Sequence, residues 1–463
     1  MANLREIART IFDRALADCS VEKAVARHVS VRDKNLLVGE EAIDLGGIQR
    51  VVIVAVGKAA RSMLFSLLQQ LTLPAHCDLA GVLIEPKGSP PLSSQLPKGF
   101  QVFSGGHPTP NEASFAGARA ALTMLKALPQ GAPENTLCFF LISGGASAMM
   151  ELPIDPSISL ADTASFHRTL VGSGASIAEI NCVRKHFSAV KGGRLAMAAG
   201  NAMCRSLLIS DVPVGREDAL GSGPTVPDSS TVAECREILE RYRLLTQFPT
   251  AVRRFFESDA LLETPKPESL HARASVLLNA QTLAEAAAKN AESRSYVAVI
   301  DNICDEWDYK TAAKYLLDRL RNLRIEYPNV CLISAGELRV TLPSNISAPA
   351  AIGAGGRNQQ FALYAATLLR PEDDPIAILS AGSDGIDGNS PAAGAVIDRD
   401  SLKDAESGTN SRVLEGFDAF PFLRDRKVTI MIGPSGNNLR DLRILIAGNP
   451  QASVVTTVAR EIP

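Results

Sequence analysis

Val51-Val52-Ile53-Val54-Ala55-Val56-Gly57-Lys58 runs through consecutive apolar positions, most of them β-branched, and then stops at a glycine followed by a fixed positive charge. An apolar run that does not alternate with polar residues is not a strand with one wet face; it has to be covered on both sides. The same phrase recurs along the chain. Phe139-Phe140-Leu141-Ile142 stops at Ser143-Gly144-Gly145, and Leu207-Leu208-Ile209 stops at Ser210-Asp211. Further runs end at Gly105-Gly106-His107, Gly336-Glu337, Gly382-Ser383-Asp384 and Gly433-Pro434-Ser435. Helix-length segments separate them, which is the pattern of an α/β protein whose mostly parallel sheets are flanked by helices. In such sheets ligands bind outside the carboxyl ends of the strands, and here those ends are where glycines, serines and acids gather.

A chain of 463 residues exceeds the size at which one core stops growing, so two domains are expected. The proline-rich, charged stretch Glu263-Thr264-Pro265-Lys266-Pro267-Glu268-Ser269 marks the region of the boundary, giving domains of 1–255 and 256–463. Two loops, 87–99 and 342–356, are rich in Pro, Ser, Gly and Ala and are candidate lids or binding loops. The net charge is -3 and no lysine/arginine block follows a phosphate backbone, which excludes nucleic acid and anionic membrane as partners. No apolar run reaches the roughly 18 residues of a membrane span. The eight cysteines include no C-x-x-C pair and read as thiols in a reducing compartment. Glu6, Asp13 and Asp18 accompany Arg5, Arg9 and Arg14, so the first turns are not an acid-poor transit peptide, and a cytoplasmic location is expected.

Absent signatures narrow the chemistry. There is no G-x-x-x-x-G-K-[ST] loop, no dinucleotide fingerprint after the Val51 run, no G-x-S-x-G elbow and no H-E-x-x-H pair. What remains are short stretches, each with a plainer alternative. Gly57-Lys58 sets a cation where backbone N–H groups also face an anion, although a lysine after a strand is more often merely exposed. Ser143-Gly144-Gly145-Ala146-Ser147 offers open amides and two hydroxyls to carboxylate or phosphate oxygens; a close helix–strand turn reads the same. The segment from Asn181 to Arg194, with Arg184 and Lys185, reads as a basic helix closed by Gly192-Gly193, for which a solvated face is the bland account. Asp211, just before Val212-Pro213, could accept a hydroxyl proton or could simply hold a turn. Gly355-Gly356-Arg357 presents a guanidinium fork matched to phosphate, or a surface arginine. Asp384 and Asp387, among glycines, suit Mg²⁺ or ribose, or a glycine-supported turn.

Taken together and in this order, the stretches resemble the class II glycerate kinases, whose C-terminal half is the MOFRL domain. The resemblance implies a Rossmann-like N-terminal domain and a MOFRL-type C-terminal domain with the active site in a cleft between them. It implies ATP- and Mg²⁺-dependent phosphorylation of D-glycerate, usually to 2-phosphoglycerate, by a possible homo-oligomer. By motif it places the essential residues at Lys58, Asp211 and Arg357. Substrate or phosphate contacts then fall on Gly57, Ser143, Gly144, Gly145, Ser147, Arg184 and Lys185, and nucleotide or metal contacts on Glu337, Asp384 and Asp387. Four places depart from the family pattern: Gln360, Leu338-Arg339, Val214-Gly215-Arg216-Glu217 and Arg440. Two rival readings are an NAD(P)H-dependent hydroxypyruvate reductase, against which the missing fingerprint counts, and a non-catalytic binder of a sugar phosphate or organic acid.

Overall fold

The computed structural model describes residues 3–92, 94–129, 135–258, 261–342, 353–403 and 408–448. They form two compact units, Val21–Leu278 and Met1–Ser20 together with Asn279–Pro463. Packing therefore divides the chain elsewhere than 255/256. The strand Arg273–Leu278 completes the first sheet, and the helix Leu4–Asp18 packs on the second.

In the unit Val21–Leu278, strands β1 (Arg50–Val56), β2 (Asp78–Pro86), β3 (Phe100–Gly105), β4 (Thr136–Ser143), β5 (Met203–Ile209) and β6 (Arg273–Leu278) form one sheet. Their order is β3-β2-β1-β4-β5-β6, with every neighbouring pair parallel. Every residue of β4 is buried, as its unbroken apolar run requires. The order reverses between β1 and β4, and at such a switch point the flanking loops part to leave a crevice. Residues 87–99, residue 93 apart, join β2 to β3 and are held by the Arg61 guanidinium at Pro90 O and Pro91 O. A small antiparallel sheet of three strands, Val29–Arg32, Asn35–Val38 and Glu41–Asp44, belongs to the same unit.

Helices Leu160–Val171, Ile177–Phe187, Val232–Arg241 and Thr250–Glu257 enclose a second core in which Phe166 and Phe187 stack with ring centroids 4.1 Å apart. Three of them begin at reciprocal capping boxes, Ser159/Asp162, Ser176/Glu179 and Thr231/Glu234, which satisfy the first amides of each helix. The basic segment is thus not one helix over 181–194. It ends at Phe187 because Ser188 turns extended and bridges Pro153, and Gly193 opens the next short helix instead of closing this one.

In the second unit, strands β7 (Val297–Ile300), β8 (Val330–Ala335), β9 (Ile376–Gly382), β10 (Gly394–Asp398), β11 (Thr429–Ile430) and β12 (Asp441–Ala447) pair in the order β7-β8-β12-β9-β10-β11. The expectation of a mostly parallel sheet holds for the first unit, but this second sheet is mixed. Only β7 and β8 pair in parallel, because β12 enters between β8 and β9 running the opposite way. The carboxyl ends of β8 and β9 and the amino end of β12 consequently share one edge. Of the loop 342–356, residues 343–352 lie outside the described residues. No helix among the described residues is long and apolar enough to cross a membrane.

Candidate active site

The ends of β1 and β4 are stapled together. Lys58 N–H donates to Gly144 O (2.9 Å) and Ala59 N–H to Ser143 Oγ (3.0 Å). Gly57 makes this possible: its φ is +119°, and a Cβ there would lie 2.4 Å from Ser143 Oγ. Asp211, from the end of β5, lies against Gly144 so closely that a Cβ on that glycine would fall 2.0 Å from Asp211 Oδ2. On the next residue, a Cβ at Gly145 would meet His107 Cδ2 at 3.2 Å and Lys58 Cγ at 3.4 Å. Lys58, Asp211, His107 and the Ser143–Gly145 turn are thus brought together at the switch point. Partial burial, with the Lys58 charge adding to it, pushes the His107 imidazole below its ordinary value. Ser147 is held in a relay. Ser222 gives its proton to Asn181 Oδ1 (3.0 Å), so Ser147 is the donor in its 3.0 Å bond to Ser222 Oγ.

The shared edge of the second sheet gathers the other candidates. The Arg357 guanidinium grips Asp441 with Nε (2.5 Å) and Nη2 (3.1 Å), and Nη2 also reaches Glu337 Oε1 (2.9 Å). Burial alone would lower this arginine, but Asp441, Glu337 and Asp387 hold it above its ordinary value. Asp387 is engaged differently. Its two oxygens accept the N–H groups of Asn358 (3.1 Å) and Gln359 (2.9 Å) at the start of the helix Arg357–Thr367. Burial and the Asp441 charge raise its carboxyl to about 6. Asp384 Oδ1 accepts Ile386 N–H (3.1 Å) in a turn.

The chain is similar to known proteins along most of its length. Residues 7–257 match the model described as a domain of unknown function (DUF4147), and residues 330–441 match the MOFRL family. The chain is 32% identical over 412 residues to the D-glycerate 2-kinase of Thermotoga maritima, covering 88% of this chain and 92% of that one. It is 32% identical over 454 residues to the glycerate 2-kinase of Pyrococcus horikoshii, covering 96% and 97%. The chain belongs to the class II glycerate kinase family. The crystal structure of the glycerate kinase of Thermotoga maritima matches with a TM-score of 0.80 at 29% identity, over 96% of this chain and 99% of that one.

Within this class II glycerate kinase, Lys185 is not an open cation beside the Ser143–Gly145 turn. It is buried and donates to Asp218 Oδ2 (3.1 Å) and Asp228 Oδ1 (3.0 Å). Nor is the basic segment a solvated face, since Lys185, Lys191 and Arg194 are all buried. Arg184 lies near Glu151, its Nε has no hydrogen-bond partner among the described residues, and burial pushes it below its ordinary value. Three of the four departures from the family pattern have local explanations. Leu338 is in the core, Arg339 pairs Glu306 on the surface, Gln360 Nε2 donates to Leu414 O, and Arg440 binds Asp305. Sequence reasoning did not assign His107, Asn181, Ser222 or Asp441 to the site. Asn181 carried a signal, since it opens the basic segment, and so did His107, which follows an apolar run, and Ser222, in Ser222-Gly223-Pro224-Thr225; Asp441 is recognisable only once the strand order is known.

Glu151 is fully buried and bonded to Lys191 Nζ (2.5 Å) and His167 Nε2 (2.9 Å). Burial pushes its carboxyl up, but Lys191 and His167 outweigh that and hold it at about 2. A carboxyl depressed on folding stabilises fully above its unfolded value and loses that contribution as the pH falls, here from about 4.5 to about 2, worth about 3 kcal/mol. Glu151→Gln leaves the Lys191 ammonium buried without its counter-charge, so the variant melts below the wild type at pH 7. The gap in Tm is expected to narrow steadily between about pH 5 and pH 2, as calorimetry would register.

Proposed function

We propose that this chain transfers the γ-phosphoryl group of ATP to D-glycerate, at the 2-hydroxyl, with Mg²⁺. The observation that supports it most is the meeting of Asp211 and Lys58 around the Ser143–Gly145 turn, at the switch point of a parallel sheet in a class II glycerate kinase. Phosphoryl transfer asks a protein chiefly for position and charge neutralisation. Asp211 takes the proton of the substrate hydroxyl as its oxygen bonds to phosphorus and the bond from phosphorus to the β-phosphate oxygen breaks. Lys58 offsets the anionic oxygens beside it, and the hydroxyl and amides of the Ser143–Ser147 turn receive the carboxylate. Arg357 is assigned the charge that develops on the nucleotide.

Mg²⁺ binds through one or two carboxylates and keeps several waters. Asp384 suits it, because its second oxygen accepts no hydrogen bond among the described residues. Asp387 does not, since both its oxygens cap a helix. When bound with ATP, the ion would neutralise charge on the β- and γ-phosphates. A coupled assay that reads 2-phosphoglycerate through enolase, with and without added phosphoglycerate mutase, tests the reading. The expected result is ADP and 2-phosphoglycerate in equal amounts. NADH consumption with hydroxypyruvate and no ADP from glycerate would establish the reductase instead, and ligand-dependent stabilisation without turnover would establish a binder.

A further inference from the structure

The helices Ile177–Phe187 and Val232–Arg241 face each other, and the side chains at their contact have a composition that packing alone does not require. Cys182 and His186 stand one helical turn apart on the same face of the first helix, and Cys235 projects from the second. All three are buried, and one ligand atom from each lies within 4.8 Å of the others. The imidazole is already oriented. His186 Nδ1 lies 2.9 Å from Cys182 O, and a carbonyl can only accept, so the proton is on Nδ1 and Nε2 carries the lone pair. That Nε2 is buried and has no hydrogen-bond partner among the described residues. An unsatisfied buried nitrogen carries a desolvation cost that a structure ordinarily avoids.

We infer that Cys182, His186 Nε2 and Cys235 form a site for a thiophilic divalent cation, Zn²⁺ in the first instance. Zinc–sulfur bonds of about 2.3 Å and zinc–nitrogen bonds of about 2.0 Å set ligand–ligand edges of roughly 3.5–3.8 Å, within a small contraction of the present spacing. Two thiolates and a neutral imidazole around Zn²⁺ give a neutral buried centre, and loading releases the two thiol protons. The fixed Nδ1–H to carbonyl bond is the outer support that metal-binding imidazoles commonly have. Glu263 Oε2, 4.0 Å from His186 Nε2, or a water supplies the fourth position. A cavity of about 370 Å³, lined among others by Cys182, Asp228, Ser230 and Glu234, gives a route from solvent. The other adjacent thiol pair, Cys138 and Cys204 on β4 and β5, is paired in register without an imidazole and serves as the internal comparison.

The test uses the full chain, reduced and stripped of metal, titrated with Co²⁺ and then Zn²⁺. One equivalent of Co²⁺ is expected to give thiolate charge-transfer absorption and intense tetrahedral d–d bands, with Zn²⁺ displacing it at a Kd of about 1 µM or tighter. Cys235→Ser and His186→Gln are each expected to weaken binding at least ~100-fold. Because a buried variant can fold poorly, the wild type supplies a second measurement: Zn²⁺ slows alkylation of Cys182 and Cys235, read by peptide mass, but not that of Cys77. Absence of the tetrahedral spectrum in the wild type overturns the proposal. So does unchanged affinity in folded Cys235→Ser, or closure of a Cys182–Cys235 disulfide with no metal taken up.

Discussion

Replacing Lys58 with methionine is expected to lower kcat by at least ~100-fold while leaving the melting temperature within the error of calorimetry. The two halves of that expectation have separate causes. The Lys58 side chain is exposed, and the staple to Gly144 O uses its backbone N–H, which methionine keeps. The aliphatic stem beside Gly145 is of similar length, so the variant removes a charge and little else. A companion change, Gly144→Ala, tests the neighbouring carboxylate without altering it. The new methyl would fall 2.0 Å from Asp211 Oδ2, so Asp211 has to move by more than an ångström, and a proton acceptor displaced that far is expected to cost about 100-fold in kcat. If folded Lys58→Met turned over at nearly the wild-type rate, Lys58 would have no part in phosphoryl transfer.

Arg357→Ala is expected to combine two losses. It removes the proposed cation, for which a fall in kcat of ~100-fold or more is in keeping with arginine effects in phosphoryl transfer. It also leaves Asp441, only 2% exposed, without its bidentate partner, at a cost of about 1–3 kcal/mol because the guanidinium itself is partly open to water. The two losses separate in Arg357→Lys. A lysine keeps the charge but cannot grip Asp441 and reach Glu337 with one planar fork, so activity is expected to recover only in part. Arg357→Ala that melts early yet retains kcat would show the arginine to be a brace for Asp441 and nothing more.

The strand ends were legible in the sequence because a parallel strand covered on both faces cannot disguise itself: Val51 to Val56 and Phe139 to Ile142 are apolar throughout and stop at Gly57 and at Ser143-Gly144. Their order was not legible, since neighbours in the sheet need not be neighbours in the chain. The strand β12 was the hardest to see. Three of the four residues Arg440-Asp441-Leu442-Arg443 are charged, yet Arg443 is fully buried, donates to Gly336 O and lies near Phe361. Long-range pairing there overrode local polarity, and with it went any sequence signal for Asp441. The basic segment misled for a related reason. Lysines spaced along a helix suggest solvent, but Lys185 and Lys191 each find buried carboxylates from elsewhere in the chain, Asp228 and Glu151.

The position of β12 between β8 and β9, with the helix Leu4–Asp18 packed on the same sheet, has a bearing on biogenesis. A ribosome delivers that helix before any strand of the sheet and the sheet's central ribbon after all the others. The unit Val21–Leu278 holds all its own strands and can consolidate during translation, whereas the other must wait, its middle open and its edges unpaired, until residue 447 has cleared the exit tunnel. Nascent chains stalled shortly before Asp441 are therefore the species that chaperones would be expected to hold.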